Sequence, residues 1–85
     1  MAKVNPLADP IFSSNLQRLG ARIRRVREEL GLSQSEFARR AKVHRSYVSD
    51  VERGQRNPPC LSLLALSRAL NATISELTHE VETEA

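Results

Sequence analysis

The chain has no tryptophan, one tyrosine and two phenylalanines in 85 residues, so aromatics amount to 4%. Strands favour aromatic and β-branched residues. A core this poor in rings has to rely on Leu, Val, Ile and Ala, which favours a small helical bundle over an aromatic-rich β sandwich. A single cysteine, Cys60, excludes an internal disulfide. A bridge-free chain of this size fits a reducing cytoplasm. Only three glycines occur, and each falls where a helix could end. No long apolar run is present, so no transmembrane helix is expected, and the first ten residues lack the apolar centre of a signal peptide. Glycine-rich phosphate loops are missing. His44 and His79 join no cysteine or acid at a metal-ligand spacing, and no Ser/His/Asp or Cys/His set is evident. The expectation is no metal, no cofactor, no small-molecule ligand and no enzyme activity.

What is present is a basic middle. The net charge is only +3, with 40% apolar residues. From Arg18 to Arg56, however, eleven basic residues face five acidic ones, a balance of +6, whereas four acidic and no basic residues follow Arg68. A polyanion is the natural partner of such a stretch. The competing reading is an ordinary solvated helix surface.

The length allows one small domain, and its apolar residues recur at steps of three and four. Residues 1–14 contain two prolines and no helical period, so they read as a loosely ordered arm, with Leu7, Ile11 and Phe12 able to pack on the body and Lys3 able to touch the polyanion. Leu16, Leu19, Ile23, Val26 and Leu30 mark one face of a first helix over 15–30. Ser14 or Asn15 is its expected N-cap and Gly31 its left-handed stop. Ser33-Gln34-Ser35-Glu36 has the pattern of a capping box opening a second helix, with Phe37, Ala38 and Ala41 inward. Lys42 and Val43 make a turn. A third helix follows from His44 or Arg45 to Arg53, with Val48 and Val51 inward and Gly54 as its stop. After a polar loop, Cys60, Leu63, Leu66, Ser67 and Leu70 form the inner stripe of a fourth helix over 59–70, ended by Asn71. Thr73 caps a fifth, with Ile74, Leu77 and Val81 along one side, and residues 80–85 form an acidic tail.

Two short helices joined by a tight turn, with small residues inside and Glu-Arg-Gly closing the second, resemble the lambda-repressor-like helix-turn-helix family (the Cro/CI or xenobiotic-response-element type). The similarity rests on GLSQSEFARRA at 31–41, the V-x-x-S-Y-V-S-x-V-E-R-G pattern at 43–54, and RNP with the following leucines at 56–70. It implies an all-α, five-helix DNA-binding domain over 15–79 whose third helix enters the major groove of double-stranded DNA. It implies base contacts from Arg45, Ser46, Ser49 and Asp50. Arg45 has the fork that matches guanine O6 and N7, and Asp50 can accept from cytosine N4. It implies phosphate contacts from Gln34, at a helix N-terminus suited to an anion, and from Arg56 and Asn57. Lys42 stands where the family commonly has glycine; left-handed backbone there costs about 1 kcal/mol, and the lysine adds a phosphate contact. His44, at the next helix start, is a further phosphate candidate, since its charge can change near neutral pH. Cys60 replaces a common leucine and is expected to fill the core.

The resemblance also pairs Arg27 with Glu52 as a partly buried ion pair tying the first helix to the base of the third. Leu61 and Leu64 lie off the inner stripe of the fourth helix and, with Ile74, Leu77 and Val81, are the expected dimer face. Two copies related by a two-fold axis can read half-sites roughly 34 Å apart. The expected function is therefore a cytoplasmic, sequence-specific transcriptional regulator acting as a homodimer on a palindromic operator, with a restriction–modification controller as the nearest subclass. With no ligand-binding or protease-sensitive domain expected to follow, regulation would run through the protein's own concentration. The alternative is a protein-interaction module, such as an antitoxin binding a toxin.

Overall fold

The computed structural model describes residues 9–81, and within them the chain forms five helices and no strand: α1 (Pro10–Glu29), α2 (Gln34–Ala41), α3 (Arg45–Glu52), α4 (Cys60–Ala69) and α5 (Ile74–Thr78). Lys3 and Leu7 of the expected arm, and residues 82–85 of the acidic tail, lie outside the described residues. The architecture is the all-α, five-helix one expected.

α1 begins five residues earlier than its apolar spacing suggests. Asp9, not Ser14 or Asn15, is the N-cap: its Oδ1 accepts from the backbone N–H of Ile11 at 2.9 Å and of Phe12 at 3.4 Å. Pro10 takes the first helical position, where its missing N–H costs nothing and its φ is already helical. Residues 10–14 are thus helix rather than arm, and Ile11 and Phe12 remain about 40% exposed. Ser33 caps α2 by accepting from Glu36 N at 3.0 Å. The reciprocal half of that capping box is not made, because the Glu36 carboxylate pairs with Arg39 and Arg40. A complete box forms at α5, where Thr73 Oγ1 accepts from Glu76 N at 3.0 Å and Thr73 N donates to the Glu76 carboxylate at 3.3 Å.

Gly31 and Gly54 end α1 and α3 at φ of 72° and 74°. Asn71 and Lys42 do the same for α4 and α2 at 54° and 60°, as their positions suggest. Around these stops α2 packs on α3 and α4, α3 on α1, and α5 on α1 and α4. Leu19, Ile23, Phe37, Val48, Val51, Leu66, Leu70 and Leu77 form the common core. Each fully buried side chain of this size stabilises the fold by about 1.5–3 kcal/mol.

Two inner stripes differ from expectation. Leu30 is half exposed, because it is the capping residue after α1's last turn, and Leu32 is buried in its stead beyond Gly31. Cys60, expected to fill the core, is exposed at the first position of α4. Pro58 is the buried residue at that end, so the helix starts outside the core, packs on it from Leu63 and is fully buried at Leu66 and Ser67, with Leu70 buried as its cap. Arg22 adds a tie of its own, donating from Nη1 and Nη2 to the carbonyls of Glu76 and His79 at 3.0 and 2.9 Å and so holding the end of α5 against α1.

Gly20 is the third glycine, and it lies inside α1 rather than at an end. A Cβ built there would sit 2.3 Å from the carbonyl oxygen of Val51 and 2.6 Å from that of Glu52. The backbones of α1 and the last turn of α3 are in contact, and only glycine permits it. Ala is the better helix former by about 1 kcal/mol, yet Gly20→Ala is expected to lose about 1–3 kcal/mol net through overpacking. A thermal melt reads this as a midpoint lowered by roughly 4–8 °C per kcal/mol; a raised midpoint would contradict the backbone contact.

Candidate nucleic-acid interface

The site is built on the angle between α2 and α3. Lys42 turns the chain through left-handed backbone, Val43 N closes back on the Ala38 carbonyl at 3.0 Å, and His44 starts α3 from extended backbone without a side-chain cap. Ala38 and Ala41, both buried, keep the two helices close. With Val48 and Val51 turned into the core, the helical period sends residues 45, 46, 49, 50 and 53 to the other side. Arg45 and Ser46 are exposed, and Ser49 and Asp50 half-buried.

The base of α3 is fastened from inside. Glu52 is buried and accepts three hydrogen bonds from its neighbours: Oε2 from Arg27 Nε at 2.6 Å, Oε1 from Arg27 Nη2 at 3.0 Å and from Gln34 Nε2 at 3.0 Å. Arg27 Nη1 donates to the Leu32 carbonyl at 2.8 Å. The hydrogen bond it donates to Glu52 raises the Arg27 pKa above its ordinary value against the opposing effect of burial. Gln34, which the resemblance puts against a phosphate, donates from its amide nitrogen to Glu52 Oε1 in the DNA-free chain. Ser33 and Ser35 are the exposed residues at that end of α2.

Asp50 is paired with two arginines. Oδ1 accepts from Arg53 Nη2 at 2.6 Å and Oδ2 from Arg56 Nη2 at 3.4 Å. The hydrogen bond from Arg53, aided by Arg56, holds the Asp50 carboxyl below its ordinary pKa. Because the folded value is the lower one, this contribution to stability is present at neutral pH and is lost as pH falls through it. The Arg56 guanidinium also lies 5.3 Å from the centre of the Tyr47 ring, within cation–π range. Lys42, His44, Arg56 and Asn57 are all exposed around this face. Arg53 was not singled out from the sequence; the signal available was its i,i+3 spacing from Asp50.

The expected dimer residues divide. Leu61 is 80% exposed, and Leu64 and Ile74 are half-buried. Leu77 is fully buried, because it follows Ile74 by one helical turn into the core and lies among Leu66 and Leu70, so it cannot meet a partner. Val81 is half-buried against the same core. No helix among the described residues is long and apolar enough to cross a membrane.

Residues 23–77 match the family model described as helix-turn-helix. The chain is 37% identical over 68 residues to control protein C.MunI of a Mycoplasma species, a match covering 79% of this chain and 92% of that protein. Among solved structures it resembles the restriction-modification controller protein C.AhdI of Aeromonas hydrophila, with 43% identity, a TM-score of 0.73, and coverage of 74% of this chain and 96% of that one. It also resembles the restriction-modification controller C.Esp1396I, whose tetramer has been solved with its natural 35 base-pair operator; identity is 25%, TM-score 0.71, and coverage 79% and 88%.

The Asp50 arrangement has a direct check. Followed by carbon-detected NMR, the Asp50 carboxyl should titrate below the ordinary carboxylate range and move back towards it in Arg53→Ala. An ordinary value in the unaltered protein would remove the ion pair from the site.

Proposed function

The chain belongs to the helix-turn-helix family, and we propose that it is a sequence-specific DNA-binding transcriptional regulator working as a homodimer on a palindromic operator. The observation that supports this best is the outward row on α3 above a base held rigid by Arg27, Glu52 and Gln34. A reading element has to be held to within a fraction of an ångström to select hydrogen-bond partners on base edges. In this reading Arg45, Ser46 and Ser49 meet the bases. Lys42, His44, Arg56 and Asn57 meet phosphates and set the register, and α2 offers the N–H groups of its first turn beside Gln34 to another phosphate.

A single α3 spans few base pairs, so a useful operator needs a second copy. Leu61 on α4 is exposed, and Leu64 on α4 and Ile74 on α5 are half-buried; a two-fold dimer through these apolar side chains would set two recognition helices about one DNA turn, roughly 34 Å, apart. The narrower reading is a restriction–modification controller, which the likeness to the control proteins over most of their lengths supports. On this reading the protein works beside DNA in the cytoplasm and carries no catalytic activity.

Sites selected from a randomised DNA pool should contain two related half-sites. Gel shifts on them should weaken steeply with salt, log K falling by about 0.9 per log unit of salt for each phosphate neutralised. Arg45→Ala should lose about 1–3 kcal/mol of discrimination at one base position. If it weakened all sequences equally, Arg45 would be a phosphate contact.

A further inference from the structure

At the C-terminal end of α3 one carboxylate sits between two guanidinium groups from different parts of the chain. Arg53 follows Asp50 by one turn. Arg56 comes from the loop beyond Gly54, whose φ of 74° folds the chain back, with Gln55 N donating to the Asp50 carbonyl at 2.8 Å. Both Asp50 carboxylate oxygens are engaged, and its side chain is only 29% exposed. The arginine side chains are 65% and 52% exposed. Each guanidinium spends one of its five donors on Asp50 and keeps the rest for another anion. Arg56 is further restrained by the Tyr47 ring.

This is a poor arrangement for reading cytosine. A cytosine amine would have to share the carboxylate with two guanidinium groups that already hold its orientation, and a carboxylate without those partners in a groove lined with phosphates is repelled. It is a good arrangement for holding two long, flexible cations at one spacing. We propose that Asp50 is a positioning residue: its carboxylate holds Arg53 and Arg56 together as a phosphate grip at the end of the recognition helix, and so widens the gap between operator and other DNA. Restrained arginines take phosphates only where the backbone passes them in register with Arg45, Ser46 and Ser49. Released arginines would meet the phosphates of any sequence. The inference rests on the DNA-binding reading above.

The test is a cycle of variants of the full chain: wild type, Asp50→Asn, Arg53→Ala/Arg56→Ala, and all three together. Each is titrated with operator DNA recovered by selection and with a scrambled duplex, across salt. Asn is isosteric with Asp, and unfolding midpoints check that each variant is folded. Asp50→Asn should strengthen binding to scrambled DNA, steepen its salt slope by about one unit, and lower the operator-to-scrambled ratio. Base preference should keep the same ranking at every operator position. In the background lacking both arginines the same substitution should change the ratio little, since coupling is the mark of residues acting together. Loss of preference at a single cytosine would make Asp50 a base reader and overturn the inference. An equal effect with and without the arginines would reduce it to general charge repulsion and overturn it too. A wild type that selects no sequence would sink the DNA-binding reading itself, and this inference with it.

Discussion

The fold depends on a charge pair taken out of water. Glu52 and Arg27 are each 8% exposed, and moving two ions into that environment costs several kcal/mol apiece after relaxation. The cost is offset only when geometry is good and the remaining hydrogen-bonding capacity is used. Both conditions hold: the contact is a two-point fork, Gln34 takes a further lone pair of Glu52, and the Leu32 carbonyl takes another donor of Arg27. Four parts of the chain thereby meet at one point: α1, the loop after it, the first turn of α2 and the last turn of α3. Gly20 completes the junction by letting the α1 backbone touch the carbonyls of Val51 and Glu52. Apolar packing alone would hold these helices together, but it is non-directional. The fork and the glycine contact set where α3 stands.

That placement separates two kinds of work on the recognition helix. Its inner side, Val48 and Val51, belongs to the core. Its outer side begins with the exposed Arg45 and Ser46 and ends in the Asp50, Arg53 and Arg56 cluster, which is already internally paired. The basic surplus of the middle of the chain is therefore not a uniform cloud. Arg27 is spent inside, Arg22 holds α5, Arg39 and Arg40 pair with Glu36, and the arginines at the end of α3 are held by Asp50. Counting charges overstates what is available to DNA.

Much of this was legible in the residues because helix period and stops are local. Ser33, Lys42, Gly54 and Asn71 mark their elements within a residue or two, and the apolar steps of α1 mark its inner face and its end but not its start, five residues further back. Asp9-Pro10 was equally legible as a helix start, and the two prolines of the arm obscured it. What the order of residues does not carry is how distant surfaces meet. Gly20 looks like any glycine until Val51 and Glu52 are against it, and Leu77 continues an apolar side that turns out to face Leu66 rather than a partner. Cys60 shares a helical stripe with Leu66 and Leu70, but the stripe reaches past the edge of the body. Asp50 and Arg56 are brought together by the turn at Gly54, so their pairing has no helical spacing to announce it. The fork of Arg27 and Glu52, twenty-five residues apart, came from family resemblance and not from any local pattern.

Whether this buried fork holds α3 in place can be read from denaturant unfolding of Glu52→Gln. Gln keeps the shape and part of the hydrogen bonding but leaves the Arg27 charge buried without its counterpart. The account predicts that the free energy of unfolding falls by about 3–5 kcal/mol, the usual cost of leaving one member of a buried pair alone. A loss below about 1 kcal/mol, the range of an exposed surface pair, would contradict it.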